Sequence, residues 1–196
     1  MSNRLNLPLL PMCARWLTPA PDALRCRCAR PALEFRGEVR WQAALVTPVT
    51  RHAVRVVLLD ASSRVLLFEG RDLSDAADSE RFWFTAGGGV HNGETLRGAA
   101  ERELVEETGL PVPDLVGPYH RRDFEFLNHG APQAQVEEFF AARTTTTDLT
   151  AEGWTDLERR AMTAWRWWSV RELENHEVRY FPDNLIDLVL EADRLV

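Results

Sequence analysis

Three glutamates of this chain, Glu103, Glu106 and Glu107, stand at positions i, i+3 and i+4. The surrounding pattern predicts a helix over 95–108 that ends at Gly109, and residues at this spacing share one helix face. Like charges on one face repel each other, and these three lie in the last turn, where the helix dipole favours cations. The cluster therefore requires either a compensating positive charge or exposure to water.

A divalent cation would supply the compensating charge. Mg²⁺ binds carboxylate oxygens, keeps several of its waters and takes phosphate oxygens as further ligands. Arg102 directly precedes Glu103, and it can orient one carboxylate by a charge-assisted hydrogen bond. The alternative is an acidic helix that faces solvent, and the helix by itself does not distinguish the two.

The residues in front of the helix favour the metal site. Gly88 is followed after five residues by Glu94, and after seven more by Arg102-Glu103-Leu104-Val105-Glu106-Glu107-Thr108-Gly109-Leu110. This matches every defined position of the Nudix box, Gly-x5-Glu-x7-Arg-Glu-U-x-Glu-Glu-x-Gly-U, in which U is apolar. Such a pattern matches a random window roughly once in 10⁹ at average residue usage. Over 88–110 the chain therefore resembles the Nudix hydrolase superfamily.

The resemblance implies an α/β (α+β) fold, a Nudix-type α/β/α sandwich with a mixed β-sheet. It implies that Mg²⁺ or Mn²⁺ binds through the box glutamates and a backbone carbonyl of the glycine loop, which here gives Glu103, Glu106, Glu107 and Gly88 or Gly87. The resemblance also implies that Glu94 has a lesser part in the site and that Arg102 fixes the position of the Glu103 carboxylate.

The activity that the resemblance implies is hydrolysis of the diphosphate of a nucleoside diphosphate linked to another group. The metal neutralises the diphosphate and acidifies a bound water, and a carboxylate of raised pKa removes the proton. We interpret Glu103 as this base, with Arg102 and Glu94 beside it in the catalytic set. Glu137 and Glu138 alternate on a predicted strand, and they are either a further metal ligand or base, or solvent-facing edge residues.

Two residues are candidates for substrate binding. Arg121 lies in the cationic run His120-Arg121-Arg122, and Trp167 lies in Trp165-Arg166-Trp167-Trp168. Guanidinium groups bind phosphate, and aromatic planes stack on nucleobases. A solvated strand start and core packing are the respective alternatives.

The elements that must position these residues follow from hydrophobic periodicity and turn signals. The predicted strands are 52–59 and 65–68, which form a hairpin, then 82–85, 124–127, 136–142 and 165–170. The predicted helices are 95–108, 171–175 and 184–195, and 144–163 is predicted to be a loop with a short helix. Strands interleaved with helices indicate α/β or α+β layering.

Length and composition indicate how the chain is divided into domains and which partners it disfavours. The chain has 196 residues and a net charge of −7, and all 23 of its basic residues are arginine. We expect one Nudix domain over 41–196, preceded by an irregular Arg- and Pro-rich extension over 1–40. The acidic balance disfavours binding to a nucleic-acid duplex. Without an apolar run of about 18 residues or a secretory leader, we expect no membrane span and a cytoplasmic location.

Two other functions compete with hydrolysis. Some Nudix domains are non-catalytic modules that sense ligands or bind proteins, but these usually carry damaged boxes. Isomerisation of isopentenyl diphosphate uses the same fold with added Cys and Glu groups, whereas the cysteines here, Cys13, Cys26 and Cys28, all lie near the start. The intact box favours a metal-dependent enzyme acting on a small nucleotide derivative, and a homodimer is left open because family members often dimerise.

Overall fold

The computed structural model describes residues 50–71, 81–128, 131–175 and 177–196. The expected extension over 1–40, its cysteines and the expected start of the domain at residue 41 lie outside these ranges. The strands are β1 (Thr50–Leu59), β2 (Val65–Arg71), β3 (Arg81–Phe84), β4 (Leu115–Asn128), β5 (Ala131–Arg143), β6 (Met162–Trp168) and β7 (Tyr180–Phe181). The helices are α1 (Leu96–Thr108), α2 (Asp156–Ala161), α3 (Val170–Asn175) and α4 (Leu185–Leu195).

The strands form one mixed sheet in the order β4-β5-β1-β2-β3-β7, with β6 also paired to β2. The pairs β1–β5 and β3–β7 are parallel, and the others are antiparallel. The predicted hairpin of β1 and β2 is confirmed. Both strands are rich in Val and Leu because both faces of this central part are covered.

Side chains alternate between the two faces of β1. Val54, Val56 and Leu58 pack in one cluster with Ala99, Ala100 and Leu104 of α1. Val57 and Leu59 pack in a second cluster with apolar residues of α3 and α4, including Leu173, Leu185 and Leu188. The sheet is therefore sandwiched between helices, which confirms the predicted α/β/α arrangement.

Helix α1 has the bounds that its terminal residues predict. The Thr95 side chain caps the N-terminus by accepting a hydrogen bond from the Gly98 N–H at 3.0 Å. Gly109 ends the helix in the left-handed conformation, with φ 68°, and its N–H donates to the Val105 carbonyl at 2.8 Å. Because both ends of the helix are set in this way, its C-terminal half, with Glu103 and Glu107, lies beside the glycine-rich segment 86–90.

The antiparallel pair β4–β5 is longer than the sequence predicts. Strand β4 has 14 residues and β5 has 13, whereas the predicted strands cover only 124–127 and 136–142. The pairing is irregular between Val116 and His120, where Gly117 and Pro118 interrupt the strand pattern, and a polar run follows over 120–123, so the alternation is obscured. The two-residue strand β7 was not predicted because it is too short to carry a pattern.

No helix of the described ranges is long and apolar enough to cross a membrane.

The packing of α1 can be tested by a pair of adjacent truncations. Leu104 is fully buried, whereas Val105 is 43% exposed. We expect Leu104→Ala to lower the free energy of unfolding by about 2–5 kcal/mol because it leaves a cavity under the helix. Val105→Ala should change it by less than about 0.5 kcal/mol. Equal effects in urea denaturation would contradict the assigned helix face.

Candidate active site

A glycine loop, residues 86–90, runs beside the first half of β1. The Val54 N–H donates to the Gly88 carbonyl at 2.9 Å, so the loop hydrogen-bonds to the strand much as another strand would. Gly87 has φ 131°, and a Cβ there would overlap the Val54 carbonyl oxygen. Glycine is required at this position both for the backbone angle and for the close approach.

Two box glutamates of α1 press against this loop. The Gly87 N–H donates to Oε2 of Glu107 at 2.8 Å. The Glu103 carboxylate lies so close to Gly88 that a Cβ at that glycine would overlap it. Both glutamates are only 5% exposed. The structure therefore brings Gly87, Gly88, Glu103 and Glu107 of the predicted site together.

Arg102 ties the helix to the loop through one guanidinium. It makes a bidentate pair with Glu94, at 2.8 Å from Nε and 3.0 Å from Nη2. Its Nη1 donates to Glu103 Oε1 at 2.9 Å and to Glu106 Oε2 at 3.0 Å, and its Nη2 donates to the Gly89 carbonyl at 2.9 Å. This one cation therefore holds three carboxylates and the loop in register.

Burial sets the protonation of the site. Desolvation raises the pKa of Glu103, and the neighbouring Arg102 opposes the rise. Desolvation raises the pKa of Glu107 well above its ordinary value, the Glu103 charge adds to the rise, and the Gly87 N–H opposes it. By contrast, the hydrogen bonds from Arg102 lower the pKa of Glu94 to about 2. Glu94 is therefore a fixed anion, whereas Glu103 and Glu107 favour a proton or a cation.

Glu106 differs from the other two box glutamates in its exposure. Its side chain is 49% exposed and turned towards Arg102. Within the described ranges, no three His, Cys, Asp or Glu side chains are arranged to hold a metal ion. The donor set nevertheless fits a hard divalent cation. Two buried carboxylates whose pKa burial raises lie against the Gly87 N–H and the Gly88 backbone, and the third is half-exposed in an ion pair with Arg102.

Glu137 and Glu138 fall on opposite faces of β5. Glu137 is 1% exposed and accepts from Arg55 Nε at 2.9 Å, from Arg122 Nε at 2.6 Å and from Gln135 Nε2 at 2.8 Å. Burial raises its pKa, but Arg55 and Arg122 together bring the pKa below its ordinary value. Occupied oxygens and a low pKa favour a structural role over a base. Glu138 lies 3.6 Å from Arg121 Nη1.

Among the described residues, neither of the two predicted substrate-binding residues makes a hydrogen bond or ion pair with Glu103, Glu106 or Glu107. Arg121 is exposed and pairs with Asp123 at 2.9 Å. Trp167 is half-buried, and its indole N–H donates to the Thr147 carbonyl at 3.4 Å. The exposed indole of this run is Trp165, which stands edge-on to Trp154. Trp154 in turn donates to the Glu107 carbonyl at 2.7 Å.

Three residues near the site were not singled out from the sequence. Arg55 Nη1 donates to the Gly87 carbonyl at 3.0 Å. The charge of Glu158 in α2 raises the pKa of both Glu103 and Glu107. Arg51 lies over Gly89. Arg51 and Arg55 stand four positions apart on one face of a largely apolar strand, which is a signal for both of them, whereas Thr155-x-x-Glu158 indicates only a helix cap.

Comparisons with known proteins agree with this geometry. The NUDIX domain family model matches residues 49–189. The MutT protein from Methanosarcina mazei Go1 is 20% identical, with a TM-score of 0.53 over 76% of this chain and 96% of that chain. A hydrolase of the NUDIX family from Clostridium perfringens is 20% identical, with a TM-score of 0.52 over 75% of this chain and 98% of that chain. These two structures show the fold.

The fold and the box define an enzyme that acts on phosphoric anhydride bonds. The chain belongs to the NUDIX family and is a Nudix hydrolase.

The raised pKa of Glu107 predicts how the stability of the metal-free protein depends on pH. An acid whose pKa is higher in the folded state stabilises the fold at low pH and loses that contribution as pH rises through the folded pKa. We therefore expect the Tm in EDTA to fall between pH 5 and 8.5, and to fall less in Glu107→Gln. The control is Glu106→Gln, which removes an exposed carboxylate. Parallel Tm profiles for wild type and Glu107→Gln would contradict the assignment.

Proposed function

We propose that the chain is a divalent-metal-dependent pyrophosphohydrolase that cleaves the diphosphate of a nucleoside diphosphate linked to another moiety. One observation carries the proposal. Glu103 and Glu107 are both buried against the glycine loop, and burial raises the pKa of each beyond what their partners offset. A cation between them and a polyanionic substrate removes that imbalance.

The metal would be Mg²⁺ or Mn²⁺, held by Glu103 and Glu107 and completed by Glu106 once it turns from Arg102. The Gly87 and Gly88 carbonyls each accept one hydrogen bond from β1, from Arg55 and from Val54 respectively. A carbonyl oxygen has two lone pairs, so each can also be a ligand. When bound, the ion neutralises diphosphate charge and acidifies a water.

The protein's own groups divide the remaining work. Arg102 donates to Oε1 of Glu103, so Oε2 is the oxygen that takes the proton from the attacking water. The raised pKa of Glu103 makes it a stronger base than an ordinary carboxylate. Oε2 of Glu107 accepts a hydrogen bond from the Gly87 N–H and so fixes the position of the glycine loop. Glu94 keeps Arg102 in place and acts as a positioning residue.

Activity is tested on a substrate panel with Mg²⁺ and identification of the products. The panel contains ADP-ribose, nucleotide sugars, dinucleoside polyphosphates, oxidised nucleoside triphosphates and coenzyme A. We expect Glu103→Gln and Glu107→Gln to lower kcat by about 10²–10⁴-fold, with Tm values showing folded protein. Leu190→Ala, which truncates an exposed residue of α4, is the control. Nucleotide binding without cleavage in Mg²⁺ and in Mn²⁺ would favour the ligand-sensing alternative.

Metal binding is tested by thermal unfolding. A ligand that binds only the folded state stabilises it by about 2.7 kcal/mol at 100 times its Kd. We expect millimolar Mg²⁺ to raise the Tm of the wild type, because a cation would compensate the two carboxylates whose charged forms burial disfavours. The rise should be much smaller in Glu107→Gln. An unchanged wild-type Tm up to 10 mM Mg²⁺ or Mn²⁺ would be evidence against the site.

A further inference from the structure

A network of arginines lies beside the glycine loop, on the strands rather than on the box helix. Arg55 and Arg122 share one buried carboxylate, Glu137, at 2.9 Å and 2.6 Å. Gln135 donates to the same carboxylate from Nε2 at 2.8 Å, and its Oε1 accepts from Arg51 Nη1 at 2.8 Å. Arg51 is therefore the last residue of the network, and its hydrogen-bond acceptor is the neutral side-chain amide of Gln135.

Arg51 is the cation of this network that lacks a carboxylate. Among the described residues, no carboxylate lies within ion-pair distance of it, and Gln135 is its hydrogen-bond partner. Burial lowers the pKa of Arg51 to about 10, so it stays charged at neutral pH. Arg51 is half-buried, and withdrawing a cation even partly from water without a counter-ion is costly. The cost is met if an anion binds there during function.

The position of Arg51 identifies where that anion would lie. Its Nη2 is 3.1 Å and its Nε 3.6 Å from the point where a Cβ would stand on Gly89. The Gly89 carbonyl accepts from Arg102. Arg51 also lies near enough to Glu103 for that charge to raise its pKa. The guanidinium edge that carries Nε and Nη2 therefore borders the glycine loop next to the proposed base.

We propose that Arg51 binds a phosphoryl group of the diphosphate substrate through Nε and Nη2. A guanidinium edge presents two parallel N–H donors that match two phosphate oxygens. Nη1 is held by Gln135, whose amide is oriented by Glu137, so the fork is preorganised. The proposal rests on the proposed function for the identity of the substrate, but the anion site itself is separable from hydrolysis.

The test measures binding rather than turnover. The probe is methylenediphosphonate, a pyrophosphate analogue whose bridge resists hydrolysis, titrated by calorimetry in the presence of Mg²⁺. We expect Arg51→Gln to weaken its affinity by about 10- to 100-fold, since a charge-assisted pair is lost, while the affinity for Mg²⁺ alone changes less than twofold. The matched control is Arg81→Gln, an exposed strand arginine paired with Glu69.

Arg51→Lys is the second variant, and it serves if Arg51→Gln does not fold. It keeps the charge but loses the two-donor edge, so we expect at least a threefold weaker affinity. Unchanged affinity in the folded variants, loss of Mg²⁺ affinity in parallel, or no binding of the probe to the wild type would overturn the proposal.

The same data separate this proposal from the proposed function. If the wild type hydrolyses no nucleotide but Arg51→Gln loses affinity for the probe, the anion site stands and the hydrolytic function falls. If the wild type hydrolyses a substrate and Arg51→Gln binds the probe like the wild type, the function stands and the role of Arg51 falls.

Discussion

Burial of two neighbouring carboxylates, Glu103 and Glu107, is the constraint on which the site depends. Each is forced against the glycine loop by the packing of α1 on the sheet, and each would be more stable when neutral or beside a cation. The loop tolerates their approach because Gly87 and Gly88 have no side chains. The free energy of folding is thus less favourable at this site, in an arrangement that the proposed divalent cation would complete.

Arginines surround this pair without neutralising it. Arg102 is divided among Glu94, Glu103 and Glu106, and Arg55 is held between Glu137 and the Gly87 carbonyl. Because these cations are anchored to other groups, they fix geometry more than they cancel charge. The chain thereby places a negative helix end, the proposed metal site, beside positive strand residues, the proposed phosphate site, although its net charge is −7.

The sequence predicts the parts of this site that depend on local spacing. The bounds of α1 follow from Thr95 and Gly109, and the convergence of Glu103 and Glu107 on the loop follows from the box. The arginine network could not be predicted in this way, because it joins Arg51 and Arg55 to residues 84 and 82 positions away. That contact depends on the parallel register of β1 and β5, in which Ala53 pairs with Glu137, and local patterns do not specify register between distant strands. Trp165 and Trp167 lie on the same face of β6, so the choice between them depends on which distant side chains cover each indole, and local patterns do not specify this either.

The most direct measurement is a crystal structure of the protein soaked in Mn²⁺, with the ion located by its anomalous scattering. We expect a peak beside Gly87 and Gly88, at about 2.0–2.2 Å from oxygens of Glu103 and Glu107. We also expect the Glu106 carboxylate to leave Arg102 and join them. An ion bound elsewhere, or no ion beside these glutamates at millimolar Mn²⁺, would contradict the proposed metal site.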